Sequence, residues 1–265
     1  MSASLLPVFE RLFDDAGLFP PASRPMAEAL RAHERARAGP HRRLVGPFLC
    51  PVDRIDELDA CVAAGVPRPP ELAVIGARNG PTWRRITYRS GVVQVEAPLG
   101  VPLPEGVQRV RRFLELPSDG PVDGLVERVA DLGAGAKVRC GGVTPDAVPS
   151  AERVAEVLVA CAKRHLPLKA TAGLHHPFRR RAAAGGGGQP QHGFVNLLAA
   201  ASVATTGAGC AELAHILDTE VDVDDRDGAQ ALLIRIDRRS RTLLHSIGSC
   251  SIDEPAEGLA AVGIL

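Results

Sequence analysis

Residues 136–172 read AKVRCGGVTPDAVPSAERVAEVLVACAKRHLPLKATA, and three segments follow one another in them. Residues 136–140 (AKVRC) and 167–172 (PLKATA) are short apolar runs bounded by Gly and Pro, the pattern of buried strands. Between them, Val154, Val157, Leu158 and Cys161 recur at helical spacing over 150–165, with Ser150 placed to cap the first turn. A strand, a helix and a second strand make a parallel βαβ unit, since parallel neighbours need a crossover of this length. Residues 136–140 and 167–172 are therefore predicted to be adjacent parallel strands.

The same rhythm extends in both directions. Strand candidates lie at 44–50 (LVGPFLC), 72–77 (LAVIGA), 92–97 (VVQVEA), 110–116 (VRRFLEL) and 242–248 (TLLHSIG). Helical patterns lie at 25–38, 53–64, 121–132, 193–204 and 209–218. Seven or eight such units in 265 residues predict an α/β fold, a (β/α) TIM-like barrel either complete or with one irregular unit. The segment 66–91 breaks the rhythm and is the place for the irregularity. An open doubly wound sheet is the alternative, although neither GxGxxG nor GxxxxGK[ST] follows a strand. The whole chain reads as one barrel domain with an N-terminal extension of about 40 residues, turn-rich at Asp14-Asp15. Residues 179–191 (RRRAAAGGGGQPQ) read as a flexible loop, because four consecutive glycines lose much backbone freedom on ordering.

Composition excludes several classes of function. Lys+Arg and Asp+Glu are 31 each, so no net field draws the chain to nucleic acid or a membrane surface. Aromatic residues are only 3%, too few for a base-stacking surface. No run approaches the roughly 18 apolar residues that a membrane span needs. The six cysteines (50, 61, 140, 161, 210 and 250) contain no CxxC pair, which reads as reduced thiols in a cytoplasm. The sequence leaves the oligomeric state open, a homo-oligomer included.

Lysine usage points to chemistry. The chain has three lysines against twenty-eight arginines, and two of the three, Lys137 and Lys169, sit inside strand runs. Unlike a guanidinium, an amine can lose its proton when desolvated and attack a carbonyl. Side chains two apart share a strand face, so Gln94 pairs with Glu96, Lys137 with Arg139 and Lys169 with Thr171. Glu115 and His245 likewise interrupt apolar runs. In a barrel, inward positions near the C-terminal ends of the strands build the active site. The predicted ring is Glu96, Glu115, Lys137, Arg139, Lys169 and His245, with Glu96 or Glu115 moving protons. Repulsion between two lysines on neighbouring strands should lower the pKa of one of them toward roughly 7–8. The bland counter-reading is a set of ion pairs that ties strands together, but such pairs rarely repay their desolvation.

The loops beyond the strands supply the rim. Cys140 precedes two glycines, His175 and His176 follow Gly173, and His192 and Asn196 open a helix. Ser249 follows the last strand candidate. Cys140, His175, His192 and Ser249 are predicted to line one cleft, with His175, His176 and Asn196 gripping the substrate. No HxH or HExxH spacing occurs and adjacent histidines rarely reach one ion, so no metal or other cofactor is assigned. The GxSxG elbow of serine hydrolases is absent as well.

The stretch from Lys137 to Leu174 resembles the end of deoxyribose-phosphate aldolase-type class I aldolases. There a Lys–x–Ser–Thr–Gly strand bears the imine-forming lysine, and a Lys–Ala–Ser–Gly–Gly strand bears a second lysine that lowers the pKa of the first. Lys137-Val-Arg-Cys-Gly and Lys169-Ala-Thr-Ala-Gly take those places, with Arg139-Cys140 standing for the Ser–Thr pair. The resemblance implies that Lys137 is the nucleophile and Lys169 its electrostatic partner. The whole chain reads more like an uncharacterised actinobacterial family than a true aldolase, so the reaction can differ on a shared barrel. The expected function is a lyase or aldolase acting on a small anionic carbonyl compound through a lysine imine. The alternatives are a metal-dependent hydrolase or isomerase using the rim histidines, and a non-catalytic binding or scaffold barrel.

Overall fold

The computed structural model describes residues 5–76, 86, 89–103, 110–142, 147–181, 190–222 and 225–265. Among them, eight strands follow one another around a closed barrel in chain order: β1 (Phe13–Asp15), β2 (Val45–Pro51), β3 (Leu72–Ile75), β4 (Val92–Pro98), β5 (Arg111–Glu115), β6 (Gly135–Arg139), β7 (Leu168–Thr171) and β8 (Leu244–Ser249). Every neighbouring pair is parallel, including β8 with β1. Strands β6 and β7 are adjacent, with Lys137 opposite Lys169. The helices are α1 (Leu6–Phe9), α2 (Met26–Ala38), α3 (Ile55–Ala63), α4 (Val122–Asp131), α5 (Ala151–Lys163), α6 (Phe194–Ala204), α7 (Cys210–Asp218), α8 (Arg226–Leu233), α9 (Ser240–Leu243) and α10 (Asp253–Ala261).

Strand β1 differs from expectation. The N-terminal segment is not an appendage, because Phe13–Asp15 pairs with Val45–Phe48 on one side and Ile247–Ser249 on the other. Three residues reading Phe-Asp-Asp carry neither an apolar run nor an alternation, so nothing local marks them as a strand. Most of the segment 66–91 where an irregularity was expected, residues 77–85 and 87–88, lies outside the described residues.

Alternation along the strands sorts the side chains. Val95, Leu114, Ala136, Val138, Leu168, Ala170 and Ile247 point outward into one large core shared with the helices. α5 turns Val154, Val157, Leu158 and Cys161 to that core, and Ser150 Oγ accepts the Arg153 amide at 3.2 Å to start it. Inside the barrel one side is apolar, with Leu49, Ala73 and Ala16 packed against Ile75 and Phe19. The opposite side, from β4 through β8 to Asp14 of β1, carries the charges. At the entrance to α6 the backbones of Arg180 and Gln191 pair in both directions (2.9 and 2.7 Å). Residues 182–189, where most of the expected flexible loop falls, lie outside the described residues.

Candidate active site

Parity turns Asp14 of β1, Gln94 and Glu96 of β4, Glu115 of β5, Lys137 of β6, Lys169 of β7 and Ser246 of β8 to the barrel interior. They form one connected network. Lys137 Nζ lies 2.7 Å from Glu96 Oε2 and 3.0 Å from Glu115 Oε2. Lys169 Nζ lies 2.7 Å from the other Glu96 oxygen, Oε1, and forms an ion pair with Asp14. Gln94 Nε2 donates to Glu96 Oε1 at 2.8 Å and to Asp14 Oδ2 at 3.2 Å, and Ser246 Oγ donates to the same Asp14 oxygen at 2.9 Å. Gly46 on β2 makes room for this carboxylate: a Cβ there would stand 2.4 Å from Asp14 Oδ1.

The two lysines occupy different depths. Lys169 is fully buried at 0% exposure, whereas Lys137 is 5% exposed and lines a cavity of about 750 Å³. That cavity opens at the C-terminal ends of the strands, with Ile75, Pro98, Glu115, Arg139, Thr171 and Gly248 around it. One wall is the turn Ala172-Gly173, where both residues are left-handed (φ 63° and 67°). A Cβ on Gly173 would stand 2.9 Å from the Cys140 carbonyl oxygen, so only glycine fits this close approach of the β6 and β7 ends.

The electrostatics run partly against expectation. Burial pulls the Lys137 amine down, but the Glu96 and Glu115 carboxylates more than reverse this and hold it above the ordinary lysine value. Lys137 is therefore held as an ammonium, not an amine poised near neutrality. The carboxylates that sequence parity placed beside it outweigh the repulsion between lysines. Burial would push Glu96 up, yet Lys137 and Lys169 together hold it down to about 2. Taking several charges out of water costs several kcal/mol per ion, so such a cluster is a poor stabiliser and a candidate functional site.

The rim is only partly as expected. Arg139, Thr171 and His175 line the cavity; Cys140, His192 and Ser249 do not. Cys140 follows inward-pointing Arg139 and so turns outward into the helix-packed core, where burial pushes its thiol up to about 12. His192 spans Pro149 O (2.8 Å) and Arg179 Nη1 (3.4 Å), and burial holds its pKa down. Asn196 is fully buried: Nδ2 donates to Ile216 O and Thr219 O, each at 2.8 Å, and Oδ1 accepts the Arg179 amide at 3.0 Å. It ties α6 to the end of α7 rather than gripping a ligand. His176 Nε2 stands 3.1 Å from Arg180 Nη1, away from the cavity. Ser249 Oγ donates to Ser251 O at 2.5 Å. His245 lies inside the barrel below Ser246, stacked on Phe113 with ring centroids 5.5 Å apart, and burial drops its pKa to about 4.

Asp14, Gln94 and Ser246 complete the network without having been assigned to it. Gln94 is legible from its parity with Glu96, and Ser246 only once the irregular register at His245 is known. Cys250 and Glu254 meet His175 at the rim: His175 Nδ1 is 2.7 Å from Glu254 Oε2 and 3.9 Å from Cys250 Sγ. The Cys250 contact raises the imidazole pKa to about 9, against burial and with help from Glu254.

The chain matches no family model, no curated protein and no solved structure. Among the described residues no helix is long and apolar enough to cross a membrane.

Proposed function

We propose that this barrel is a lyase or aldolase-type enzyme acting on a small anionic carbonyl compound through an imine on Lys137. One observation carries the reading: Lys137 reaches the cavity with two carboxylates within 3.0 Å of its nitrogen, above a second lysine that shares one of them. A nucleophile with a proton acceptor in hydrogen-bond reach, steadied by a third group, is the arrangement covalent catalysis needs.

Glu115, partly open to the cavity, takes the proton from the Lys137 ammonium. The freed nitrogen lone pair attacks the carbonyl carbon, the carbonyl π electrons move to oxygen, and the now cationic nitrogen passes a proton to that oxygen. Loss of that hydroxyl as water, with a proton returned by Glu115, gives the iminium. Glu115, again an anion, takes the β-hydroxyl proton; the Cα–Cβ bond breaks, an aldehyde leaves and the electron pair converts the iminium to an enamine. Glu115 returns the proton to the enamine carbon, and water hydrolyses the resulting iminium to the second carbonyl product and the Lys137 ammonium. Lys169 lies between Asp14 and Glu96 and, with Lys137, keeps Glu96 an anion. Arg139 and the glycine-lined turns at Gly141 and Gly173 offer an anionic substituent a guanidinium and accessible backbone.

Binding of an anionic ligand without turnover is the second reading, and the raised pKa of Lys137 favours it, because an ammonium is a good anion ligand. The two separate in a retro-aldol assay over phosphorylated and carboxylated hydroxy-carbonyl compounds. The enzyme reading expects turnover that Lys137→Arg abolishes, since arginine keeps the charge without the nucleophile. Turnover retained in Lys137→Arg contradicts it.

A further inference from the structure

We propose that His175, Cys250 and Glu254 form a binding site for one divalent transition-metal ion of the zinc class, at the lip of the Lys137 cavity. The three come from different elements of the C-terminal face: the loop after β7, the residue after β8 and the first turn of α10. Their ligating atoms, His175 Nδ1, Cys250 Sγ and a Glu254 oxygen, all lie within 4.8 Å of one another.

The geometry separates a metal site from a catalytic triad. In a Cys–His–acid triad the imidazole uses one nitrogen for the thiol and the other for the carboxylate. Here Sγ (3.9 Å) and Oε2 (2.7 Å) both approach Nδ1. One nitrogen carries at most one hydrogen, so it cannot donate to both. A cation between the three atoms satisfies them together: zinc–ligand bonds of roughly 2.0 Å to N and O and 2.3 Å to S leave tetrahedral ligands about 3.5 Å apart. The two separations at Nδ1, 2.7 and 3.9 Å, straddle that value.

Imidazole, thiolate and carboxylate together suit zinc or cobalt rather than magnesium or calcium, which prefer oxygen alone. On binding, the Cys250 thiol gives its proton to solvent and His175 presents a bare Nδ1 with the hydrogen on Nε2. Three protein donors leave a fourth tetrahedral position, and His175 and Cys250 themselves line the cavity. That position borders the space in front of Lys137, where it would accept an anionic oxygen of a ligand. The site depends on these three residues alone and stands whether or not Lys137 forms an imine.

The test is titration of the full chain, stripped with chelator, using Co²⁺ as the absorbing probe and Zn²⁺ as competitor. One Co²⁺ per chain is expected, with a near-ultraviolet thiolate-to-cobalt band that Zn²⁺ bleaches and Cys250→Ser removes. His175→Gln and Glu254→Gln should each weaken binding by about tenfold or more, given that loss of even an outer-shell partner costs about 10–100-fold. Cys210→Ser, which removes an exposed thiol on α7, should leave the band unchanged. If Cys250→Ser fails to fold, the half-exposed Glu254→Gln still decides. Absence of saturable binding, binding only at millimolar metal, a band that survives Cys250→Ser, or unchanged affinity in Glu254→Gln each overturns the site.

Discussion

At the scale of single residues, Lys137 and Asp14 show how neighbours decide what a group can do. Lys137 is held charged by Glu96 and Glu115 against its burial. Removing one carboxylate leaves the burial and weakens the opposition, so Glu115→Gln should lower the Lys137 pKa. Nitrogen NMR of the lysine side chain across pH would read this, and an unchanged or raised value would contradict the assigned pairing. Asp14 gathers Lys169, Gln94 and Ser246 on one oxygen in space left by Gly46. Gly46→Ala should therefore cost about 1–3 kcal/mol, the usual penalty for overpacking, measured as a shift in urea midpoint. The lysines and their acids were legible from strand parity alone, because Glu96, Glu115, Lys137 and Lys169 each interrupt an apolar run. Asp14 was not, since a three-residue strand shows no period. Cys140 followed the rule that was applied to its neighbours: with Lys137 and Arg139 inward, the next residue faces out.

At the scale of elements, short polar side chains do structural work that resembles ligand binding in a sequence. Asn196 opens α6 at the rim, yet its amide joins the end of α7 and the Arg179 backbone. Asn196→Ala leaves two carbonyls and one N–H without that partner, and should cost about 2 kcal/mol or more in thermal or urea unfolding. A variant as stable as the parent would return Asn196 to the list of ligand residues. His192 is likewise occupied by Pro149 and Arg179. These partners come from loops distant in sequence, so no local pattern announces them. The strands and the α5 crossover, by contrast, were readable because alternation and the 3.6-residue period are local.

At the scale of the whole molecule, the barrel divides its interior into an apolar side at β2 and β3 and a charged side from β4 through β8 to Asp14 of β1. Stability should follow the charged side as pH changes. Glu96 is held at about 2 in the fold against an ordinary 4.5, so its contribution is present above 4.5 and disappears as pH falls toward 2. His245 is held at about 4 against 6.5: the unfolded chain takes up the proton first, so stability declines between pH 6.5 and 4. Urea midpoints at pH 7, 5 and 3 should fall in that order, and His245→Gln should flatten the first step. A midpoint that rises on acidification would contradict both assignments.

Borohydride trapping reads the proposed imine on Lys137 itself. The chain would be incubated with small phosphorylated or carboxylated aldehydes and ketones, reduced, digested and mapped by mass. A stable adduct is expected on the peptide containing Lys137 and none on that containing Lys169, which lies buried beneath the cavity between Asp14 and Glu96. A substrate turned over with Lys137 unmodified after reduction, or an adduct on Lys169 alone, would contradict it.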